Sequence, residues 1–212
     1  MSTRARRERE KQRRRDSILA AAQAVFLEEG FYRATVDSVA ERAEVSKGTV
    51  YLYFDSKETL LAALLLEGLD ALIEALEAAY APAQDYAADE RLRRLSAAYF
   101  QFFHDEPHYF RFLMAMDRGR FRDSVAPDMY QEVLKASLEG LSWVVKAVEQ
   151  GVTSGLFVCC DVNQAAATLW ATLNGVLELM AHPLRRDIVA VEPAVLYYSA
   201  SETVIRGLLA RS

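Results

Sequence analysis

The stretch of residues 35–57, TVDSVAERAEVSKGTVYLYFDSK, constrains the fold of this chain more than any other part of it. Thr35 suits a helix N-cap, and apolar residues then recur at i, i+3, i+4 and i+7, the spacing of one helix face. Glu44 and Val45 form a turn, and Ser46 caps a second helix. The inward residues of the two helices are Val36, Val39, Ala40 and Ala43, followed by Val50 and Phe54. The stretch therefore predicts two short helices joined by a tight turn.

The second helix carries small, polar or hydroxyl-bearing aromatic residues on its remaining faces. These residues are Lys47, Gly48, Thr49, Tyr51 and Tyr53. A helix that enters the major groove of DNA needs short side chains so that its backbone approaches the base edges, and hydroxyls that reach phosphates. The pattern favours a DNA-reading helix-turn-helix, although two amphipathic helices of an ordinary helical core share the same spacing.

The flanking sequence completes a three-helix module over residues 13–57. Upstream, an apolar stripe predicts a helix that ends at Gly30, a residue suited to a left-handed C-cap with Phe31 as its hydrophobic follower. Downstream, the capping-box pattern of residues 55–58 places Lys57 in the first turn of the next helix. The upstream stripe consists of Ile18, Leu19, Ala22, Val25 and Phe26.

Residues 1–12 are predicted to be a basic, flexible arm. Residues 1–15 contain eight Lys or Arg and two Glu. Through Lys57 the chain has 12 basic and 9 acidic residues, whereas residues 58–212 have 13 basic and 21 acidic residues. A basic end on an acidic chain favours phosphate neutralisation, but a charge run alone is also typical of a solvated tail.

Four segments in this region combine into one pattern: residues 24–31 (AVFLEEGF), 35–40 (TVDSVA), 45–54 (VSKGTVYLYF) and 57–61 (KETLL). The pattern resembles the DNA-binding domain of the tetracycline-repressor (TetR) family, over roughly residues 13–62. This resemblance implies an all-α, dimeric one-component regulator, most simply a repressor. An N-terminal domain would read a palindromic double-stranded operator, and a larger helical domain would sense a small molecule.

The resemblance also implies roles for particular residues. The base or groove contacts that it implies come from Ser46, Lys47, Gly48 and Thr49. The phosphate contacts that it implies come from Thr35, Tyr51, Tyr53 and Lys57. Glu44 departs from the family pattern, because many members have glycine in this turn. A carboxylate at this position would lie close to DNA and would be mildly repelled.

Residues 58–212 are expected to form a helical ligand-binding and dimerisation domain, since no segment alternates as a strand would. A long helix from near Ser56 to about Tyr80 would connect the two domains mechanically, with a linker from Pro82 behind it. Residues 118–126 are polar and loop-like in sequence.

The final two predicted helices begin at Asp161 and Pro193 and have small residues on several faces. These small residues are Ala165, Ala166, Ala167, Ala171, Gly175, Ser199, Ala200, Ser201 and Gly207. Close helix packing of this kind would suit a four-helix bundle between two chains, which the resemblance also implies. Packing within one chain would leave a similar pattern. Two operator half-sites need two readers, so we expect a homodimer through these helices.

The middle of the chain is rich in aromatic and methionine residues, which predicts an apolar effector pocket with a few polar anchors. The candidate effector residues are Tyr99, Phe103, Phe110, Met114, Trp143, Trp170, Asn174 and Glu178. A lipophilic or aromatic effector would suit such a pocket. Aromatic residues at helical spacing are also typical of an ordinary core.

Other classes of site have little support in the sequence. Cys159 and Cys160 match no metal or thioredoxin spacing, and small core residues fit them better than a redox sensor does. His104 and His108 have an i, i+4 metal spacing, but Pro107 disrupts the helix between them. We expect no metal, no cofactor and no catalytic residues, because no nucleophile with its base, phosphate loop or carboxylate pair is present.

No apolar run reaches the length of about 18 residues that suggests a membrane span. The basic N-terminus lacks the apolar region of a signal peptide, so a cytoplasmic location is expected. Two alternatives to a ligand-gated repressor stay open at this point. One is a DNA-binding regulator, an activator or a constitutive regulator, that no small molecule gates. The other is a helical enzyme in which the reader-like segment is coincidental.

Overall fold

The computed structural model describes residues 3–117, 121–158 and 161–210. These described residues form eleven α-helices and no β-strand, with one isolated bridge between Phe157 and Leu209. The helices are α1 (Thr3–Glu29), α2 (Val36–Arg42), α3 (Lys47–Tyr51), α4 (Lys57–Tyr80), α5 (Ala88–Asp105), α6 (Pro107–Asp117), α7 (Phe121–Ser124), α8 (Pro127–Thr153), α9 (Val162–Ala181), α10 (Pro183–Val189) and α11 (Pro193–Leu208). The predicted all-α fold class is confirmed.

The chain divides into two compact units. Unit 1 comprises Met1–Gly68 and His108–Leu134, and unit 2 comprises Leu69–Pro107 and Lys135–Ser212. Unit 1 therefore holds the first three helices and the first half of α4, together with α7, the start of α8 and all of α6 except Pro107. The functional division that we predicted at residue 57 stays a prediction.

The core of unit 1 joins the first four helices to α6. Phe26 of α1 packs edge-on against Phe112 of α6, with ring centroids 6.3 Å apart, and against Phe31, at 5.3 Å. Gly68 of α4 is needed for close packing, because a Cβ atom there would lie 2.3 Å from Tyr109 Cδ1. The fully buried aliphatic residues of this core include Ile18, Val39, Val50, Leu60 and Leu61.

Helix α1 begins much earlier than the predicted stripe. The structure has a continuous helix from Thr3 where the sequence suggested a flexible arm over residues 1–12. After Thr3, its first half consists of Arg, Ala, Glu, Lys and Gln, all good helix formers, and no Gly or Pro interrupts it before Gly30. Gln12 Nε2 also donates a hydrogen bond to Asp16 Oδ1, one turn later, at 2.7 Å.

Most helix ends that local sequence patterns predicted are present in the structure. Gly30 has φ +80° and follows the end of α1, and Asp161 accepts a 2.9 Å hydrogen bond from the Gln164 amide at the start of α9. The capping-box assignment over residues 55–58 is corrected by one residue. Ser56 Oγ accepts the 3.1 Å hydrogen bond from the Thr59 amide, so the cap of α4 is Ser56.

Two short helices, α7 and α10, were not predicted from the sequence. Within the segment 118–126, predicted as a loop, Phe121–Ser124 form α7, because Phe121 is buried and draws the backbone into the core. Residues 118–120 lie outside the described part of the chain, as do Cys159 and Cys160. Helix α10 lies between the two predicted final helices, and none of its residues is buried.

The core of unit 2 contains a buried polar cluster between α5 and α11. Tyr197 donates its hydroxyl hydrogen to the Ser96 carbonyl at 3.0 Å, and Ser201 Oγ donates to Ser96 Oγ at 2.9 Å. Burial raises the pKa of Tyr197 above its usual range, so this hydroxyl stays a donor.

The segment after α4 is held in place by one buried arginine of α5. The guanidinium of Arg91 donates to the carbonyls of Tyr80, Ala81, Gln84 and Tyr86, at 2.7 Å for Gln84. It also lies over the Tyr80 ring, 4.1 Å from the centroid. The predicted linker is therefore an anchored turn, since one side chain satisfies its inward carbonyls.

Candidate DNA-binding surface and effector site

Helices α2 and α3 form the predicted helix-turn-helix. Thr35 Oγ1 accepts a 3.1 Å hydrogen bond from the Ser38 amide, and Ser46 Oγ accepts one of 3.1 Å from the Thr49 amide. Each helix turns apolar residues into the unit 1 core, with Val39 and Val50 fully buried. Both predicted N-caps are therefore present, and their hydroxyls fix where each helix begins.

The turn between the two helices has a left-handed residue. Glu44 has φ +53°, in the region that favours glycine, and its amide donates to the Glu41 carbonyl at 3.1 Å. The next amide, of Val45, donates to the Ala40 carbonyl at 3.0 Å. A non-glycine residue in this conformation costs about 1–2 kcal/mol. The departure from the family pattern thus coincides with backbone strain.

The outward face of α3 is small and polar near its N-terminus. Lys47, Gly48 and Tyr51 are exposed, whereas Thr49 and Tyr53 are half-buried. A Cβ atom on Gly48 would meet only Ser46 Oγ, at the ordinary contact distance of 3.8 Å. Packing within unit 1 therefore does not require glycine at this position. The absence of a side chain at Gly48 would allow an external group, such as a base edge, to approach the helix backbone closely.

Two candidate DNA-contacting side chains already have partners in unit 1. Lys47 Nζ donates to Asp37 Oδ2 of α2 at 2.7 Å, and this hydrogen bond raises the pKa of Lys47 above its usual value. Thr49 Oγ1 lies 2.8 Å from Ser46 Oγ. Asp37 was missed in the sequence because it stands ten residues from Lys47, on the other helix. Lys47 must leave this carboxylate to reach a phosphate or a base.

Lys57 has a structural role that the sequence did not reveal. Its ammonium donates to the carbonyls of Phe31 at 3.0 Å, Ala34 at 3.2 Å and Tyr32 at 3.4 Å. It also lies 4.7 Å from the centroid of the Phe31 ring. An ammonium has three N–H donors, and three carbonyls take them here. The implied phosphate contact of Lys57 stays a prediction and competes with this role.

Within unit 2, some of the predicted effector residues lie together. Tyr99 of α5 donates its hydroxyl hydrogen to Asn174 Oδ1 of α9 at 2.9 Å, and its ring packs edge-on against Phe103 at 4.9 Å. Asn174 Nδ2 in turn donates to the Trp170 carbonyl at 2.9 Å. Burial raises the pKa of Tyr99 despite its hydrogen bond to Asn174, so the hydroxyl stays protonated.

The other predicted effector residues have different partners or belong to unit 1. Trp143 of α8 packs against Tyr80 at 5.1 Å, and Lys146 Nζ lies 3.7 Å from the centroid of its ring. Its buried Nε1 has no hydrogen-bond partner among the described residues. Glu178 is exposed, and its Oε1 lies 3.5 Å from Arg185 Nη1. The two remaining candidates, Phe110 and Met114, belong to unit 1.

Residues 3–117, 121–158 and 161–210 contain no group of three or more His, Cys, Asp or Glu placed to hold a metal. His104 stacks on Phe100, and His108 Nε2 lies 2.9 Å from Gln23 Nε2. None of the helices in this described part combines the length and hydropathy that a membrane crossing requires.

A capped helix, a tight left-handed turn and a second capped helix with a small polar face together define a helix-turn-helix protein of the DNA-binding class. Residues 18–64 match the family described as bacterial regulatory proteins, tetR family. Residues 18–64 are thus a DNA-binding domain of the tetR family type, and the chain as a whole is similar to TetR-family transcriptional regulators.

Two curated relatives are similar in sequence. The transcriptional activator FasR of Mycolicibacterium smegmatis is 34% identical over 104 residues, which cover 49% of this chain and 47% of FasR. The match thus spans about half of that relative's length. The fatty acid metabolism regulator protein of Bacillus subtilis is 26% identical over 181 residues, covering 84% of this chain and 90% of the relative.

Two solved structures have the same fold. A tetR-family regulatory protein from Rhodococcus RHA1 superposes with a TM-score of 0.73 at 24% identity, over 94% of this chain and 98% of that one. FadR from Bacillus subtilis, solved in complex with stearoyl-CoA, superposes with a TM-score of 0.71 at 22% identity. That comparison covers 91% of this chain and 98% of FadR.

Proposed function

We propose that this regulator is a homodimeric repressor that binds a pseudo-palindromic operator through α3 and is released by a lipophilic effector held in unit 2. The observation that carries the proposal is the exposed face of α3. Its first turn bears Lys47 and Gly48 and lacks bulky side chains, which lets the backbone approach base edges in a major groove. An operator-binding regulator of this kind would act in the cytoplasm.

The basic half of α1 supports DNA binding. Arginine and lysine neutralise phosphates and release counterions, which gives a strongly salt-dependent affinity. Because these basic residues recur at helical spacing, several of their side chains share one face of α1. One open face of α1 carries Arg6, Arg9, Glu10, Arg13, Arg14 and Ser17.

The outward faces of α9, α10 and α11 support the dimer. Small exposed residues on α9 and α11 would let helices of a second chain approach closely. Apolar side chains of α9, α10, α11 and the segment between α10 and α11 are also exposed in the single chain. These apolar residues are Trp170, Leu184, Ile188, Val191, Val195 and Tyr198. A second copy would cover this apolar surface and would supply the second reader.

The relatives support a proposal for the effector class. One of them is named a fatty acid metabolism regulator protein, and the FadR structure contains stearoyl-CoA. We therefore propose a long-chain fatty acyl thioester as the effector. The Tyr99 hydroxyl and the Asn174 amide, which lie 2.9 Å apart among aromatic rings, would orient its polar group.

Unit 1 offers a route by which a structural change could reach the reader helices. Helix α6 is hydrogen-bonded to the reader, since Tyr32 donates its hydroxyl hydrogen to the Ala115 carbonyl at 3.2 Å. Ser56, the cap of α4, donates to the Ser124 carbonyl at 3.3 Å. A tilt of α4 or α6 would therefore displace the reader. Two recognition helices reach successive major grooves only when they are about 34–36 Å apart, so a small displacement weakens both contacts.

The test uses a duplex selected by the protein from a random-sequence library. Operator affinity is measured by fluorescence anisotropy at fixed salt, with and without stearoyl-CoA, and with coenzyme A alone as the control. We expect stearoyl-CoA to weaken binding about 5- to 150-fold, the range of a typical allosteric coupling, and coenzyme A to have no effect. The variant Tyr99→Phe should keep operator binding and lose most of this response.

A second candidate is a regulator, an activator or a constitutive binder, that no small molecule gates. The observation that favours it is the Tyr99–Asn174 hydrogen bond, because these two groups already satisfy one another without a ligand. Equal operator affinities with and without an acyl thioester that binds unit 2 would support this candidate and overturn gating.

A further inference from the structure

One large apolar side chain stands on the proposed DNA-reading face without a structural reason. Leu52, the C-cap residue of α3, has 80% of its surface exposed, more than any other large hydrophobic residue in the described part of the chain. Its neighbours Val50 and Phe54 are buried. The unit 1 core is therefore complete without Leu52, and the side chain extends into solvent.

The helix geometry places Leu52 beside Gly48. Leu52 has the helical angles φ −70° and ψ −17°, and its amide donates to the Gly48 carbonyl at 3.2 Å. Residues four apart lie on one helix face, and a helical side chain leans toward the preceding turn. At Gly48 no side chain is present, and little else lies near. Leu52 is thus an exposed apolar side chain next to the open position at Gly48, a pair of residues that we call the apolar notch of α3.

The contents of a major groove limit what this notch can contact. The base edges present hydrogen-bond donors and acceptors, and the thymine C5-methyl group is their apolar feature. An isobutyl side chain can make no hydrogen bond, so it would gain nothing from the polar edges. We infer that Leu52 reads thymine, by packing against the C5-methyl group of one thymine in each operator half-site. This inference rests on the proposed binding of α3 in the major groove.

The experiment removes the methyl group and the side chain in turn. A duplex selected by the wild-type protein is resynthesised with deoxyuridine, which lacks the methyl group, in place of each thymine pair related by the two-fold axis. Affinities of wild type, Leu52→Ala and Leu52→Met are measured by fluorescence anisotropy. Burial of one methyl group corresponds to about a fourfold change in affinity. We expect one symmetric pair of substitutions to weaken wild-type binding by more than tenfold.

The variants assign the effect to Leu52. Leu52→Ala should bind the thymine and deoxyuridine duplexes with equal affinity, whereas Leu52→Met should keep the discrimination. Leu138→Ala serves as the matched control, because Leu138 is 56% exposed but lies on α8 in unit 2. Both alanine variants should keep the wild-type thermal midpoint, since neither side chain is in the core.

Three outcomes would overturn the inference. Wild type could bind every deoxyuridine duplex with unchanged affinity, or Leu52→Ala could retain the full deoxyuridine effect. Leu52→Ala could also lower the affinity for the thymine and the deoxyuridine duplexes by the same factor relative to wild type. That result would indicate a contact with the sugar-phosphate backbone. Failure of the wild type to enrich any duplex is a different result, because it would overturn the proposed function itself.

Discussion

Lys47 Nζ and Asp37 Oδ2 lie 2.7 Å apart and join α3 to α2 on the surface proposed to face DNA. The pair is exposed, with about half of each side chain or more in solvent. A carboxylate at this position repels phosphate and also holds the cation that would bind it. The free protein is thus in a conformation that binding must change.

The first prediction follows from this ion pair. Asp37→Asn should raise operator affinity several-fold at low salt, because Lys47 is released and one repulsion is removed. The salt dependence should steepen by about one unit in the slope of log K against log salt concentration. Affinity is measured from 50 to 300 mM salt, a range chosen for about a twofold change in Debye length. Glu41→Gln, an equal change of charge on the same helix, should leave the slope unchanged; an equal steepening there would count against the role of the pair.

Glu44 leads to a prediction about stability. Glu44→Gly should relieve the left-handed strain at φ +53°, although glycine loses more entropy on folding. The net gain should be up to about 1 kcal/mol, or a rise of about 2–4 °C in thermal midpoint. Glu44→Ala removes the same carboxylate but keeps the unfavourable φ, so it should not raise the midpoint. Equal midpoints for the two variants would contradict the strain argument.

Lys57→Ala should act mainly on folding. Three carbonyls lose their donor, two of them in part-buried hydrogen bonds, and leaving such acceptors unsatisfied costs about 1–3 kcal/mol. The measurement is the urea dependence of unfolding. At a temperature where the variant is folded, its operator affinity should keep the wild-type salt slope. A slope smaller by about one unit, with unchanged stability, would instead support the implied phosphate contact.

Two glycines of α8 provide a matched pair for a packing prediction. A Cβ atom at Gly151 would lie 2.0 Å from Phe157 Cδ2, whereas one at Gly140 would lie no closer than 3.7 Å to Leu76. Gly151→Ala should destabilise the protein by about 1–3 kcal/mol, because the Phe157 ring must move. Gly140→Ala should be neutral or stabilising by up to about 1 kcal/mol, since alanine favours a helix. Thermal unfolding of both variants decides, and equal midpoints would refute the clash.

The dimer has its own test. Val195 of α11 is 60% exposed in the single chain, and Val195→Asp would bury a charge if a second copy covers it. We expect the molar mass measured by light scattering to halve and operator affinity to fall by at least tenfold. Leu138→Asp, at a similarly exposed site on α8, should remain dimeric. A dimer that survives Val195→Asp would locate the interface elsewhere.

Sequence signals were sufficient where structure depends on near neighbours. The caps Thr35 and Ser46 and the left-handed Gly30 were predicted, because each acts within three or four residues of its own position. Helix α10 was missed because it is seven residues long and buries none of them, so it leaves no apolar stripe. The helical first half of α1 was missed because charge was read as a sign of flexibility.

The candidate site was harder to predict, since it depends on contacts between distant residues. Lys47 and Asp37 lie on two different helices. The carbonyls that accept hydrogen bonds from Lys57 belong to residues 23 to 26 positions earlier in the chain. Helical spacing also does not separate a pocket residue from a core residue. Tyr99 and Asn174 meet in unit 2, whereas Phe110 belongs to unit 1.

The placement of the two tryptophans has a practical consequence. The chain contains only Trp143 and Trp170, and both belong to unit 2. Light at about 295 nm excites indole and not tyrosine, so the intrinsic fluorescence of the unlabelled protein arises from unit 2 alone, while α2 and α3 are silent at that wavelength. The combined emission of Trp143, whose ring lies beside Tyr80 and Lys146, and Trp170 can therefore be followed during a titration with an acyl thioester, free of any signal from α3.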